Sequence, residues 1–224
     1  MDVRVADDAA GAADAAARFV ARRLRDAVRR RGSASIAVSG GSTPAVMFDV
    51  LSTLDVPWAS VLVFQVDERI APDGDPDRNA VQLAAHLSSV VPLPPAQVRL
   101  MPVTAVDVRA AARRYGAAVT SVAPFDIVHL GLGDDGHTAS WPPGDPVVDS
   151  TLAVDVSGEF NGRRRMTLTT GPVNDARCRI VLAAGASKAP MVARFLAGDR
   201  TIPITHVRRT GTVLFVDRAA ATQG

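Results

Sequence analysis

A histidine and two carboxylates stand together in a glycine-rich segment near the middle of the chain. The segment Gly131 to Ser140 reads GLGDDGHTAS and directly follows the apolar run Phe125 to Leu130. Histidine titrates near neutral pH, so His137, flanked by Asp134 and Asp135, could take a proton from water as a general base. A buried, hydrogen-bonded structural histidine is the alternative interpretation. The segment has no Gly-x-Ser-x-Gly pattern, so covalent serine catalysis is not indicated.

A second glycine-rich loop, Ser39 to Pro44, reads SGGSTP and lies between a predicted strand and a predicted helix. Its paired glycines, Gly40 and Gly41, leave backbone amides uncovered beside a helix N-terminus, which is an arrangement that binds phosphate. Helix capping alone is the alternative, with Thr43 as the N-cap and Pro44 at the first helical position. Because the loop follows a strand, we favour phosphate binding.

Two cationic positions could add to such a phosphate site. Arg69 ends the segment Asp67 to Arg69, which follows another predicted strand, and its planar fork of donors matches a phosphate. Lys188 is the sole lysine in a chain that otherwise uses arginine, which hints at a need for a compact point charge. The alternative for Arg69 is that it belongs to a surface ion-pair cluster. The alternative for Lys188 is that the single lysine is there by chance.

Three other kinds of site are not supported by the sequence. The GLGDDG run at Gly131 has the spacing of the dinucleotide fingerprint, but Pro142 and the prolines after it exclude the long helix that the fingerprint requires. The acidic run from Asp73 begins like a calcium loop, yet Arg78 stands where that loop needs glycine. A zinc site is unsupported because the chain has neither a cysteine pair nor a His-x-x-x-His spacing.

Composition sets the broad class of the protein. The chain has 224 residues, of which 47% are hydrophobic, so it can bury a substantial core. Its formal charge of +2 does not demand a nucleic acid, and a small anionic ligand fits better. The acidic N-terminus lacks a secretory signal and no apolar stretch reaches membrane-spanning length, so we expect a cytoplasmic protein without a membrane partner. The single cysteine, Cys178, is predicted to be a buried structural thiol.

Predicted strands and helices alternate along the chain. The predicted strands are Val3–Ala6, Ser35–Val38, Val61–Val66, Val98–Met101, Phe125–Leu130, Leu152–Val156, Met166–Thr169, Ile180–Ala184 and Val213–Val216. The predicted helices are Ala9–Arg31, a stretch ending near Leu54, Asn79–Ser88, Val106–Ser121, a short one near Val173, and Ala189–Ala197. This alternation predicts an α/β fold with an open, mostly parallel sheet covered on both faces, in a single domain over residues 1–224.

Five motifs, taken in order, resemble the 6-phosphogluconolactonase family. They are SGGSTP at Ser39, DER at Asp67, GLGDDGHTAS at Gly131, RMTLT at Arg165 and GASKA at Gly185. The resemblance runs from about Ser35 to the VDRAAA segment near Asp217. It implies the fold shared with glucosamine-6-phosphate deaminases and ribose-5-phosphate isomerases, a modified Rossmann-like open sheet sandwiched by helices.

The resemblance also implies an activity, the hydrolysis of 6-phospho-D-glucono-1,5-lactone to 6-phospho-D-gluconate in the oxidative pentose phosphate pathway, without metal or organic cofactor. By the same resemblance, His137 would activate the attacking water, and Asp135 would fix its orientation and tautomer. The residues that would hold the phosphate are Gly40, Gly41, Ser42, Thr43, Arg69, Arg165 and Lys188. Since such a lactone is already an activated ester, a base and good positioning suffice.

The sequence departs from the family pattern at Trp141-Pro142-Pro143, at Arg78 and at Arg163-Arg164. We interpret these residues as part of the pocket wall, where they would alter contacts to the sugar ring. A glucosamine-6-phosphate deaminase is the nearest rival, but the run Thr138 to Pro143 supplies no acid for that chemistry. A non-catalytic sugar-phosphate sensor is a further rival, disfavoured because no helix-turn-helix pattern precedes the first phosphate loop.

Overall fold

Strands and helices alternate along residues 1–221, the part of the chain that the computed structural model describes. The strands are β1 (Asp2–Ala6), β2 (Ala34–Val38), β3 (Val61–Gln65), β4 (Asp67–Arg69), β5 (Val98–Arg99), β6 (Ile127–Gly131), β7 (Val154–Val156), β8 (Arg165–Leu168), β9 (Arg179–Ala183) and β10 (Thr212–Asp217). The α-helices are α1 (Ala9–Arg31), α2 (Ser42–Ser52), α3 (Asn79–Leu83), α4 (Val108–Val122), α5 (Thr170–Asp175), α6 (Ala189–Ala197) and α7 (Arg218–Ala221). A π-helical turn over Ala84–Ser88 continues α3.

Seven strands form one sheet in the order β1-β10-β9-β6-β2-β3-β5. Every neighbouring pair in this sheet runs parallel. From β2 the chain adds β3 and β5 on one side, and it later adds β6, β9 and β10 on the other. The order therefore switches between β2 and β6, and open α/β sheets bind ligands outside the carboxyl ends of their strands at such a point.

Hydrophobic side chains cover both faces of the parallel sheet. Along β2, Ile36 and Val38 belong to one buried cluster and Ala37 to another, because successive strand residues point to opposite faces. Residues of α1 and α2 complete the first cluster, and residues of α4 and α6 complete the second. The prediction of a mostly parallel α/β sheet sandwiched by helices is thus confirmed. The prediction that Cys178 is buried is also confirmed, and burial raises the pKa of its thiol.

Local sequence signals account for α1, one of the two helices whose predicted bounds, with those of α6, match the structure. Asp8 is its N-cap, and the Asp8 side chain accepts a hydrogen bond from the Gly11 amide at 2.8 Å. The helix ends at Gly32, whose φ of 78° is a left-handed conformation that glycine adopts without strain. The bounds predicted for α1 therefore agree with the structure. Within residues 1–221, no helix has both the length and the apolar character needed to cross a membrane.

Three strands stand apart from the parallel sheet. They form a small antiparallel sheet in the order β4-β8-β7. The strand predictions at 152–156 and 166–169 did not separate this sheet from the main one. The connection between β7 and β8, residues 157–164, is too short for the crossover that parallel neighbours require, so the two strands pair as a hairpin. Val154 and Met166 of this sheet pack into the same buried cluster as α4.

Candidate active site

A cleft of about 230 Å³ opens at the carboxyl ends of the central strands. Residues from all five sequence motifs contribute to it, and its lining includes Ser39, Gly40, Gly41, Ser42, Thr43, Asp67, Arg69, Asn79, Gly133, His137, Thr138, Arg165 and Lys188. All of the predicted site residues except Asp135 line this cleft. The topological switch between β2 and β6 explains the convergence, since it leaves a crevice where the loops after these two strands separate.

Asp135 orients the ring of His137. The Asp135 Oδ1 atom lies 2.5 Å from Nδ1 of the ring and 3.1 Å from the His137 backbone nitrogen. Since an ionised carboxylate can only accept, Nδ1 carries the proton and Nε2 is left as an acceptor. Partial burial would raise the pKa of Asp135, but the hydrogen bonds from His137 outweigh it and hold that pKa below its ordinary value. The pair has the geometry of an oriented general base.

Two glycines allow the loop to close around this ring. A Cβ atom on Gly133 would lie 2.0 Å from Nδ1 of His137, so any other residue there would displace the imidazole. Gly136 has a φ of 84°, and a Cβ atom there would lie 2.7 Å from Cβ of Ile202. Between β6 and β7, the structure has no α-helix. The glycine spacing that imitates a dinucleotide fingerprint therefore serves to position the histidine.

Helix α2 begins directly after the paired glycines of the other loop. Its N-cap is Gly41, and Pro44 is the third residue of the helix, so the capping alternative with Thr43 as N-cap is wrong. Gly41 has a φ of 127°, a conformation that favours glycine, and it has no side chain to cap the helix. The amides of Ser42 and Thr43 belong to the first turn, where no helical carbonyl can reach them, and both residues line the cleft.

One of the two glycines of this loop does not contribute in the way that the sequence suggests. The Gly41 amide donates to Oε1 of Gln82 at 2.7 Å, so the expectation that this amide is uncovered is wrong. Gly40 allows a close approach, because a Cβ atom on it would lie 2.2 Å from Oδ1 of Asn79. Both glycines therefore fix the path of the loop against α3.

Arg69 and Arg165 are register partners in the antiparallel pair of β4 and β8. Like charges placed directly opposite each other destabilise a sheet. Arg165 is only 7% exposed, and its Nε is buried without a hydrogen-bond partner among the described residues. Burial, and then the charge of Arg69, lower the pKa of Arg165. A bound anion would relieve this repulsion, so the pair is the strongest electrostatic indication of a phosphate site.

A buried carboxylate and an amide position Arg69. Glu68 is fully buried and accepts hydrogen bonds at 2.8 Å from the Gln65 side chain and from the amides of Arg69 and Asn79. The Asn79 side chain donates to the Asp67 carbonyl at 2.8 Å and accepts from the Arg69 guanidinium. Asn79 thus holds Arg69 toward the cleft that both residues line. Sequence reasoning assigned no role to Asn79, although its place at a predicted helix start was a usable signal.

Lys188 lines the cleft but already has a partner. Its Nζ lies 2.8 Å from Oδ1 of Asp134, and this hydrogen bond lowers the pKa of Asp134. Lys188 ends the 3₁₀ turn Ala186–Lys188 that leads into α6. The ion pair therefore connects the loop that carries His137 to the start of α6.

Phe160 does not line the cleft, but it contacts two residues that do, and the sequence interpretation missed it. It lies in the hairpin between β7 and β8, where Asn161 and Gly162 have φ values of 51° and 74°. Two successive residues with positive φ form the type of turn that an Asn-Gly pair favours, which was the available signal. The Phe160 ring centroid lies 5.1 Å from that of His137, and Arg165 Cζ lies 5.1 Å from the same centroid.

The residues that depart from the family pattern do not line the cleft, so their interpretation as pocket wall is wrong. Trp141 is fully buried, and its indole nitrogen donates to the Leu168 carbonyl at 2.8 Å. Arg78 is buried with its Nε 3.5 Å from Oε2 of Glu68. Arg163 forms ion pairs with the acidic loop before α3. These side chains brace the elements around the cleft instead of contacting its contents.

Aspartates of the acidic run that resembles a calcium loop form ion pairs with arginines. Asp73 pairs with Arg78, and Asp75 lies 3.0 Å from the Arg163 guanidinium. Across the described residues, no group of three or more His, Cys, Asp and Glu side chains is arranged to hold a metal ion.

Comparison with known proteins adds independent evidence. A family model described as glucosamine-6-phosphate isomerases/6-phosphogluconolactonase matches residues 7–215. The 6-phosphogluconolactonase of Synechocystis is 33% identical over 188 residues, which cover 80% of this chain and 78% of that protein. The 6-phosphogluconolactonase of Streptomyces coelicolor is 34% identical over 234 residues, which cover 94% of this chain and 90% of that protein.

The fold by itself does not separate the activities within this group. A solved structure of a monomeric glucosamine-6-phosphate deaminase is 21% identical, covers 99% of each chain and has a TM-score of 0.87. At that identity, the likeness shows the fold alone. The family match, by contrast, spans every motif that lines the cleft. The chain therefore belongs to the glucosamine-6-phosphate isomerase/6-phosphogluconolactonase family.

Proposed function

We propose that this chain hydrolyses 6-phospho-D-glucono-1,5-lactone to 6-phospho-D-gluconate. The observation that carries the proposal is one cleft that holds both an Asp135-oriented imidazole and the opposed guanidinium groups of Arg69 and Arg165. A base and an anion anchor suit a substrate with a reactive carbonyl at one end and a phosphate at the other. The relatives named as 6-phosphogluconolactonases support the same activity. A single domain over residues 1–224 and a cytoplasmic location stay predictions.

The chemistry follows from the orientation of His137. Its Nε2 takes a proton from a water molecule, whose oxygen attacks the lactone carbonyl to form a tetrahedral intermediate. When the intermediate collapses, the bond from the carbonyl carbon to the ring oxygen breaks, and Nε2 returns the proton to that oxygen. Asp135 stabilises the imidazolium that exists between these steps. General-base help of this kind contributes about 10²- to 10⁴-fold to the rate.

The phosphate anchor supplies orientation. The amides of Ser42 and Thr43 at the N-terminus of α2, together with Arg69 and Arg165, would bind the phosphate oxygens. Lys188 would exchange part of its bond with Asp134 for a phosphate oxygen. Anchoring the far end of the substrate holds its carbonyl near Nε2, which converts an encounter into a positioned reaction. These steps need neither a metal ion nor an organic cofactor.

The test is an assay with freshly generated 6-phosphogluconolactone in a pH-stat, corrected for spontaneous ring opening. We expect acid release well above the uncatalysed rate, and loss of that excess in the His137→Asn variant at the same protein concentration. A wild-type rate equal to spontaneous opening would overturn the proposal. Release of ammonia from glucosamine 6-phosphate would instead support a deaminase, and DNA binding without turnover would support a sensor.

A further inference from the structure

The ring of Phe160 contacts two residues of the cleft that have different assigned roles, His137 and Arg165. Its ring contacts the imidazole of His137 at an interplanar angle of 67°, in an edge-to-face arrangement. The guanidinium of Arg165 lies over the same ring, at 5.1 Å from its centroid to Cζ. One side chain therefore contacts both the group assigned to proton transfer and a group assigned to phosphate binding.

The hairpin that carries Phe160 is held on two sides. Within the hairpin, the Phe160 amide donates to the Arg163 carbonyl at 3.0 Å, and the Arg163 amide donates back at 3.3 Å. Beyond it, the Arg163 guanidinium lies 3.0 Å from Oδ2 of Asp75 and 3.3 Å from Oδ2 of Asp77. These bonds hold the backbone of the hairpin that places the ring of Phe160 beside His137 and Arg165.

Neither neighbour of Phe160 is fully fixed by polar contacts. Among the described residues, the ring of His137 has a hydrogen bond only at Nδ1, to Asp135, so it could pivot about that bond. The Nε of Arg165 has no hydrogen-bond partner among the described residues, so packing against Phe160 adds to the attraction of Asp67, Asp135 and Asp77 in orienting that guanidinium. The aromatic ring supplies the missing constraint at both groups.

We propose that Phe160 is a positioning residue that sets the separation between the imidazole of His137 and the guanidinium of Arg165. This inference rests on the proposed function, and it identifies the phosphate as the substrate feature for which Phe160 selects. A lactone that carries a phosphate must match the fixed distance between base and anchor, whereas a lactone without a phosphate uses the base alone. Phe160 therefore contributes to the preference for phosphorylated lactones.

The test compares 6-phosphoglucono-1,5-lactone with unphosphorylated glucono-1,5-lactone in the Phe160→Leu variant. We expect the ratio of the two kcat/KM values, phosphorylated over unphosphorylated, to fall about tenfold when the ring is lost. A variant that is partly unfolded loses both activities equally, so this ratio does not respond to stability. An unchanged ratio would overturn the proposal.

Two matched variants sharpen the comparison. Phe160→Tyr keeps the ring and should retain the ratio of the wild-type protein. Glu159→Gln alters an exposed neighbour in the same hairpin and should also retain it. A loss of preference in Glu159→Gln equal to that in Phe160→Leu would assign the effect to the hairpin as a whole and overturn the role of the ring.

A spectroscopic measurement separates this inference from the proposed function. The chain has only four histidines, so the ring protons of His137 can be assigned in an NMR spectrum by their absence from His137→Asn. The aromatic ring of Phe160 should shift these resonances, and Phe160→Leu should move them toward unperturbed values. A shift without lactone turnover in the wild type would overturn the proposed function alone. Lactone turnover without a shift would overturn the positioning role.

Discussion

His129 and His137 belong to the same strand and the loop that follows it, yet their surroundings differ completely. His129, on β6, is fully buried, and neither ring nitrogen has a hydrogen-bond partner in the described part of the chain. Its ring packs against that of Phe48, with centroids 6.0 Å apart. Burial lowers the pKa of His129 to about 3, so it stays neutral. The side chain of His137 is 28% exposed and is hydrogen-bonded to Asp135.

The difference shows that position relative to the strand end decides what a histidine can do. Both faces of a parallel sheet are covered by apolar side chains, so the imidazole of His129 meets neither water nor a carboxylate. Six residues after β6 ends, the glycine-rich loop brings a carboxylate to one nitrogen of His137 and leaves the other beside the cleft. The imidazole of His129 packs like an apolar side chain, whereas the imidazole of His137 is a candidate general base.

The largest expected effect comes from replacing the two histidines in parallel. His137→Asn removes the basic nitrogen, so we expect kcat for the phosphorylated lactone to fall about 10²- to 10⁴-fold with KM little changed. His129→Leu keeps a similar volume and removes two unpaired nitrogens, so kcat should stay within about twofold. Steady-state assays of both variants measure this difference. Equal losses of kcat would contradict the distinction between the two sites.

Two buried arginines can be compared in the same way, one in the cleft and one outside it. Arg165 lacks a partner at Nε, whereas Arg179 donates to the backbone carbonyls of Asn174 and Ala176 at 2.8 and 2.7 Å. We expect Arg165→Ala to raise KM about 10- to 100-fold, because a charged hydrogen bond to the phosphate is lost. Arg179→Met should leave KM unchanged and lower the free energy of unfolding. Substrate-saturation curves and urea titrations distinguish these outcomes, and a raised KM in both variants would refute the assignment.

The alternation of strands and helices along the chain was predictable because local signals agree with tertiary packing. Asp8 and Gly32 mark the ends of α1, and the short apolar runs that became β2 and β6, each followed by a glycine-rich loop, favour buried strands. The glycines at 40 and 133 were recognisable as loop positions beside strand ends. The prediction of where the cleft forms followed from parallel strand direction alone.

The contacts that complete the site were not predictable, because they join distant segments through side chains. No local pattern places Arg69 opposite Arg165, since that pairing depends on the register of a second sheet. The Gly41 amide looked uncovered in sequence, but Gln82 reaches it from the helical segment that begins at Asn79. Trp141 stands beside the motif of His137 in sequence and still points into the core. The spacing of residues along the chain does not indicate in which direction these side chains point.

The buried histidine also predicts how stability depends on pH. His129 has a pKa of about 3 when folded, below the value of about 6.5 for an unfolded chain. Between these values only the unfolded chain binds the proton, and this binding favours unfolding. The contribution of His129 to stability is therefore complete above about pH 6.5 and is lost as pH falls toward 3. At pH 5 the loss is about 2 kcal/mol. His129→Leu should therefore lose about 2 kcal/mol less than wild type between pH 7 and pH 5 in urea unfolding. Parallel pH dependences would refute this assignment.

The smallest expected effect concerns the ion pair at the rim of the cleft. Asp134 is 67% exposed and Lys188 is 23% exposed, so their bond of 2.8 Å is solvent-screened, unlike the buried contacts of Glu68. Exposed pairs of this kind contribute about 0–1 kcal/mol, so Asp134→Asn should change KM by no more than about fivefold. The direction is informative, because freeing Lys188 for the phosphate should lower KM, and added salt should reduce the difference. A KM that rises in Asp134→Asn would mean that Asp134 holds Lys188 in its binding position, in which case Lys188→Ala and Asp134→Asn should raise KM together.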